Sequence, residues 1–230
     1  MGQKGGAGMK KGAKQPELTV EFARDEWYMT LGGEPVVHCL LTRPECAGTW
    51  RGLGRIDRFY RHVERDVRRY WAREVYLRAC LELADRRACS RPFRPWRVEL
   101  DTQATFVGEG LISFRRELRE RRGGDDLPLI VRRGDVWSLT DGTPRTMSEF
   151  FPRRGWRKRV LAHLKRETRR RLAGGESLLD ADCERKLARL FDPERFCLTE
   201  QGIEVFYPMC AVAAAGEGIP TFTVAREDNA

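Results

Sequence analysis

Hydrophobic and polar positions along this chain follow two periods that succeed one another in a definite order. Leu18, Val20 and Phe22 alternate with polar residues, which is the two-residue period of a half-buried strand. After the Gly32-Gly33 break, Pro35 to Leu41 predicts a second strand, followed by a loop from Pro44 to Gly54. From Ile56 to about Ala88 the period becomes helical. Ile56, Phe59, Tyr60, Val63, Val67, Tyr70, Trp71, Leu77, Leu81 and Ala84 form one apolar stripe, and Arg58, Arg61, Glu64, Arg65, Arg68 and Arg69 fall largely between them. At 1.5 Å per residue, about 33 residues make a rod of roughly 50 Å, which only a broad sheet would cover. Pro92 and Pro95 forbid its continuation.

The alternation returns most cleanly from Trp96 to Phe106; Gly108 and Gly110 mark a turn, and Leu111 to Leu118 reads as the returning strand. Leu127–Val131 and Val136–Leu139 predict a further hairpin around Arg132-Arg133-Gly134-Asp135, and Asp141-Gly142 supplies a tight turn ahead of the Phe150-Phe151 anchor. A second helix is predicted from Trp156 to about Ala173, and a short third through Cys183, Leu187, Leu190 and Phe191. Phe196–Thr199, Ile203–Tyr207 and Thr221–Val224 predict a small β tail. Consecutive hairpins argue against a parallel dinucleotide-binding sheet, and neither GxGxxG nor GxxxxGK[ST] occurs. The expected fold class is α+β: an antiparallel meander sheet packed against a long amphipathic helix, with a C-terminal helical and small β subregion.

Charge narrows the partners. Lys and Arg number 43 against 34 Asp and Glu, for a net charge of +9. Such a surface attracts nucleic acid, anionic lipid, acidic proteins or anionic wall polymers. The second helix concentrates the charge in a basic patch of Arg153, Arg154, Arg157, Lys158, Arg166, Arg169 and Arg170, with Glu167 opposing them. No helix-turn-helix, zinc-finger or RNA-binding signature accompanies it, so nucleic acid is the alternative partner and not the favoured one.

Candidate chemistry is sparse. Seven cysteines, Cys39, Cys46, Cys80, Cys89, Cys183, Cys197 and Cys210, are odd in number and widely spaced without a CxxC pair, so free thiols are expected. His38, Cys39 and Cys46 invite a metal reading, but neighbouring residues of a strand point to opposite faces. No metal or cofactor is expected. Ser113, Ser138 and Ser148 lack the G-x-S-x-G setting of an activated serine, His38, His62 and His163 fall on unlike elements, and Asp141 and Glu149 suit turn and capping roles. No catalytic residue is assigned, and an enzyme is not expected. No apolar run reaches the roughly 18 residues that a membrane span requires. Residues 1–16 are basic and lack the apolar segment of a secretory signal, so they are expected as a disordered arm and the chain as cytoplasmic.

The order Val136–Phe151, two helices, then Phe196–Tyr207 resembles a bacterial domain family of unknown function, DUF3298. Thr140-Asp141-Gly142 and Phe150-Phe151 stand in its first motif, a hairpin; Phe196, Leu198, Thr199, Gly202 and Ile203 stand in its second, a Phe-Leu-Thr-x-x-Gly-Leu strand. The preceding strand pair, long helix and meander is similar to the partner region DUF4163, by element order more than by residues. The resemblance implies a DUF4163-like region over 17–134 and a DUF3298-like region over 135–226, joined as one unit. The family includes the extracytoplasmic sensing part of a lysozyme-binding anti-sigma factor and a module attached to peptidoglycan deacetylases. It therefore implies a non-catalytic binding or sensing module, with an unknown protein or an anionic polymer as partner. Its surface is expected on the loop after the last family strand, at Tyr207, Pro208, Met209, Cys210 and Gly216, with the nearby tips Gly123–Asp126 and Arg132–Asp135. The family's Pro- and Tyr-rich loop is replaced here by Met209-Cys210-Ala211-Val212, and the loss of aromatic anchors argues against lysozyme itself.

Overall fold

Glycine, helix length and strand alternation each fix one part of the architecture. A computed structural model of the chain describes residues 17–175 and 177–226; the arm expected over 1–16 lies outside them. Gly32 and Gly33, both at positive φ, close an antiparallel hairpin of β1 (Leu18–Leu31) and β2 (Glu34–Gly48). β2 runs on through Pro44 into the segment expected as loop. A continuous helical rod follows: α1 (Leu53–Tyr70), a π turn over Trp71–Val75, and α2 (Tyr76–Ala88). It crosses back over the sheet and delivers β3 (Trp96–Gly108) alongside β2, then β4 (Leu111–Arg121) and β5 (Leu129–Ser138).

The sheet order is β1-β2-β3-β4-β5. The α+β class is as expected, with one addition: the sheet is mixed. β2 and β3 pair in parallel from Val37↔Trp96 to Leu41↔Leu100, while the other neighbours are antiparallel. The rod is the crossover that a parallel pair requires. β3, β4 and β5 form the expected meander.

The rod departs from its predicted stripe in its second half. Ile56 and Tyr60 are buried as the helical period predicts, joined by Leu53 from the segment expected as loop, but beyond Tyr70 the buried residues are Trp71, Val75, Ala79 and Leu83. Leu77 and Leu81 are 56% and 71% exposed. A repeat of four drifts by about 40° per step in an α-helix of 3.6 residues per turn. The π turn takes in the extra residue, so the buried stripe passes to Val75, Ala79 and Leu83 and turns Leu77 and Leu81 outward.

β5 corrects a second expectation. Arg132-Arg133-Gly134-Asp135 is not a hairpin tip but the middle of one strand that runs through the 134/135 region border. The Asp141-Gly142 turn follows as predicted. Ser138 N–H donates to the Thr143 carbonyl at 2.9 Å, Gly142 takes φ +68°, and Asp141 Oδ1 accepts from the Thr143 N–H at 3.1 Å. Glu149 accepts from the Thr146 N–H at 2.8 Å in a reciprocal cap.

The opposite face of β4 and β5 carries the C-terminal part: α3 (Trp156–Gly174), α4 (Cys183–Leu190) and a sheet of β6 (Phe196–Thr199), β7 (Gly202–Phe206) and β8 (Thr221–Val224). Gly134 lets β6 come close, since a Cβ there would sit 1.8 Å from the Phe196 carbonyl oxygen. Buried Ser113 accepts a hydrogen bond from the Leu198 N–H at 2.9 Å, and Arg132 donates to Thr221 Oγ1 at 2.6 Å. Phe106 and Val136 of the large sheet share a core with Met147, Val160, Leu164, Leu187 and Phe222, so the two sheets and α3 are one body.

Candidate functional site

The five loop residues expected to bind do not share one face. Tyr207 is 1% exposed; its hydroxyl donates to the Leu187 carbonyl at 3.1 Å, and burial pushes its phenol up. It is a core residue whose polar tip has a backbone partner, as a buried tyrosine needs. Pro208 and Cys210 are exposed and Met209 is half-buried. Further on, Val212 and Ala213 enter the core, and the loop is tied to the segment before α4 by Asp180 N–H to Val212 O (3.0 Å) and Ala214 N–H to Leu178 O (2.9 Å). Glu217 accepts from Ser177 Oγ and Leu178 N–H at 2.8 and 2.7 Å, which holds the turn that contains the exposed Gly216. The alternation that placed Tyr207 at a strand end was the signal that it faces inward.

Pro208 does border a pocket of about 140 Å³. Its other walls are Phe206, Tyr207, Ile219, Arg195 and the consecutive β5 residues Ile130, Val131, Arg132 and Arg133, so two of the five expected residues, Tyr207 and Pro208, do meet there. One predicted tip and one predicted loop thus meet, though the tip is a strand. The true tip, Gly123–Asp126, joins β4 to β5 and lies beside Arg94, Arg121 and Arg122 around a pocket of about 320 Å³. Gly123 is required by the Arg94 carbonyl, which a Cβ would approach to 1.9 Å.

The basic patch on α3 divides in two. Toward its C-terminus the cations are neutralised. Arg169 grips Glu184 of α4 through two bonds of 2.7 Å, and Arg170 and Arg171 both donate to Glu167, holding that carboxyl down at about 2. Toward its N-terminus, Arg153, Arg154, Arg157, Lys158 and Arg166 have no carboxylate partner among the described residues. Arg159 donates to the Arg153 and Arg154 carbonyls at 3.1 and 2.6 Å, and Arg157 to the Phe191 carbonyl at 3.3 Å while standing over the Phe191 ring. The first turn holds no acidic residue, and Gly155 contributes no side-chain cap. Positive side chains therefore adjoin the positive end of the helix dipole, an arrangement that costs the free protein stability and favours an anion.

Elsewhere arginines are spent on structure. Arg116 donates to both oxygens of Asp135 at 2.6 and 3.0 Å, Asp135 accepts from the Tyr60 hydroxyl at 3.2 Å, and this group pins α1 to β4 and β5. Arg43 reaches Glu45, Asp57 and Glu64. Among the candidate catalytic groups, Ser113 serves the sheet junction. His38 lies 2.6 Å from Glu26 and stacks on Tyr28, His62 bonds the Arg58 carbonyl, and His163 bonds the Thr223 carbonyl. Cys39 is sealed in the core on the other side of β2 from His38, and burial pushes the Cys39 and Cys197 thiols up to about 12. No group of three or more His, Cys, Asp or Glu residues poised for a metal occurs among the described residues, and no helix there is long and apolar enough to cross a membrane.

No family model matches the sequence, and no curated protein matches it. Solved structures are similar, two DUF3298 family proteins among them. A DUF3298 family protein from Pseudomonas aeruginosa PAO1 aligns with a TM-score of 0.59 at 15% identity over 91% of each chain. A DUF3298 member from Bacteroides fragilis NCTC 9343 aligns with a TM-score of 0.59 at 10% identity over 90% of each chain. The likeness is one of fold: the chain adopts a DUF3298-type architecture over nearly its whole length.

Proposed function

We propose that this chain is a non-catalytic binding module that holds an anionic polymer on the N-terminal half of α3. Its DUF4163-like and DUF3298-like regions act as a single scaffold. The observation that carries the reading is the split in the basic patch. Arg169, Arg170 and Arg171 are matched by Glu184 and Glu167, whereas Arg153, Arg154, Arg157, Lys158 and Arg166 are left facing solvent without a carboxylate. α3 starts at Trp156, and from there to Arg166 it rises roughly 15 Å, more than one phosphate or carboxylate spans, so the fitting ligand repeats its charge. The structural duties of Ser113, His38, His163, Asp141 and Glu149 support a non-catalytic role.

The test is a salt titration of binding to three labelled polyanions: polyphosphate, polyglutamate and single-stranded DNA. Affinity is expected to fall linearly with salt on logarithmic axes. Replacing Arg153, Arg157 and Lys158 by Gln should flatten the slope on DNA by about 2, at about 0.7 per phosphate contact. The rank order among the three polymers names the class. Absence of binding to all three at low salt would refute the reading.

A further inference from the structure

The two edges of the large sheet are built differently. β1 exposes Glu21, Arg24, Asp25 and Glu26 and carries a bulge at Met29/Thr30, features that guard an edge against pairing. β1's exposed apolar residues, Tyr28 and Leu31, flank that bulge, whereas β5 exposes Leu129 (59%) and Val131 (44%) on a regular stretch of strand, with Arg133 as its exposed charge there.

The backbone of β5 is open on the same stretch. Val136 O accepts from the Arg145 N–H and Ser138 N–H donates to Thr143 O, so the even-numbered residues of β5 turn their backbone groups away from β4. The return segment 143–145 meets those groups at Val136 and Ser138. Ile130 and Arg132 have the same parity, and their N–H and C=O groups have no partner among the described residues. The 140 Å³ pocket adjoins these groups. Because consecutive residues Ile130 to Arg133 line it, it opens along the strand edge; its far wall is Phe206, Pro208 and Ile219.

We infer that β5 accepts an extended acidic peptide from a partner protein as a sixth strand. One aliphatic side chain of the peptide enters the pocket on the face of Ile130 and Arg132, and the residues on either side of it point to the other face, where their carboxylates meet Arg133 beside Leu129 and Val131. Charge supports this choice. Three arginines and no carboxylate line the pocket. Arg132 is held by Glu117 and Arg195 by Asp192, which leaves Arg133 without an ion pair among the described residues. Charge also disfavours a second copy of this chain. A two-fold axis centred on Ile130–Arg133 would bring the arginines of both strands opposite or diagonal to one another, within the range at which like charges repel. Main-chain pairing supplies affinity in such strand addition, and alternate side-chain pockets supply choice. The site is separate from α3 and does not depend on its reading.

The probe is a labelled octapeptide alternating Val and Glu, with a Val–Lys octapeptide as control, added to the full chain. Anisotropy measures binding, and amide hydrogen exchange read residue by residue locates it. The Val–Glu peptide is expected to protect the Ile130 and Arg132 amides, and to bind at least tenfold more tightly than the Val–Lys peptide. Arg133→Glu, at an exposed position, should weaken it about tenfold and leave polyanion binding at α3 unchanged. Equal binding of both peptides, or an absence of protection at Ile130 and Arg132, would overturn the inference. So would protection of those amides by self-association alone, in the absence of peptide.

Discussion

Replacing Gly134 by Ala strikes the junction between the two sheets. The added Cβ would lie 1.8 Å from the Phe196 carbonyl oxygen, 2.6 Å from its carbon and 3.2 Å from Cys197 Cβ. Backbone cannot swing aside as a flexible side chain can. Recovering an ordinary contact requires β5 and β6 to part by roughly 1.5 Å, and overpacking of this kind costs about 1–3 kcal/mol. The same parting breaks the 2.9 Å bond from Leu198 N–H to buried Ser113 Oγ, and leaving such groups unpaired costs about 1–3 kcal/mol more. The expected loss is about 3 kcal/mol. With a urea slope of about 2–3 kcal/mol/M, the unfolding midpoint should fall by about 1 M or more. Gly54 is the control: it sits in α1 with nothing within 4 Å of an added Cβ. Gly54→Ala should raise stability by about 0.5–1 kcal/mol. Should Gly134→Ala unfold at the wild-type midpoint, the close approach of β6 is wrong and the sheet junction must be redrawn.

Three further outcomes are expected. Asp135→Ala strands the half-buried Arg116 guanidinium and should cost about 3 kcal/mol in urea unfolding, whereas Tyr60→Phe removes one hydrogen bond and should cost about 1 kcal/mol. For Glu117, burial opposes the charge, but Arg132 and Arg119 outweigh it and hold the carboxyl below its ordinary value of 4.5. A depressed carboxyl contributes stability at pH values above 4.5 and loses it as pH falls through the folded-state value, so wild type should exceed Glu117→Gln at pH 7 and converge with it in acid; an unchanging difference down to pH 2 would contradict the pairing. With a thiol reagent at pH 8, exposed Cys89 and Cys210 should react in the first phase, and buried Cys39, Cys183 and Cys197 only on unfolding.

Where neighbours in sequence decide the structure, the sequence shows it plainly. The alternation from Trp96 to Phe106, the Asp141-Gly142 turn and the Phe196–Thr199 strand are each settled by local periodicity or turn chemistry. Gly134 misleads because Arg-Gly-Asp is turn chemistry, while its true cause is a carbonyl on β6, distant along the chain. Leu77 and Leu81 mislead because one π turn shifts the stripe by a residue; the clue lies in the step of four through Trp71, Val75, Ala79 and Leu83. The parallel pairing of β2 with β3 was within reach, since a helix of that length between two strands is a crossover. The candidate site was legible as composition but not as a surface. That Arg169 is neutralised and Arg157 is not depends on α4 bringing up Glu184, which no helical periodicity reveals.

The parallel ladder also sets an order on synthesis. β1, β2 and the rod leave the ribosome before β3 exists, and Val36, Val37, Cys39 and Leu41 of β2 must wait for cover. The rod can shield their faces as it forms, but the inner edge of β2 stays unpaired until Trp96–Leu100 arrives. At about 5–20 residues per second, that interval lasts several seconds for a nascent chain. The finished fold guards β1 with charge, yet β2 has no such guard while it waits. The chain is therefore most prone to aggregate during translation of the rod, and a chaperone that acts there would matter more to its yield than one that meets the completed protein.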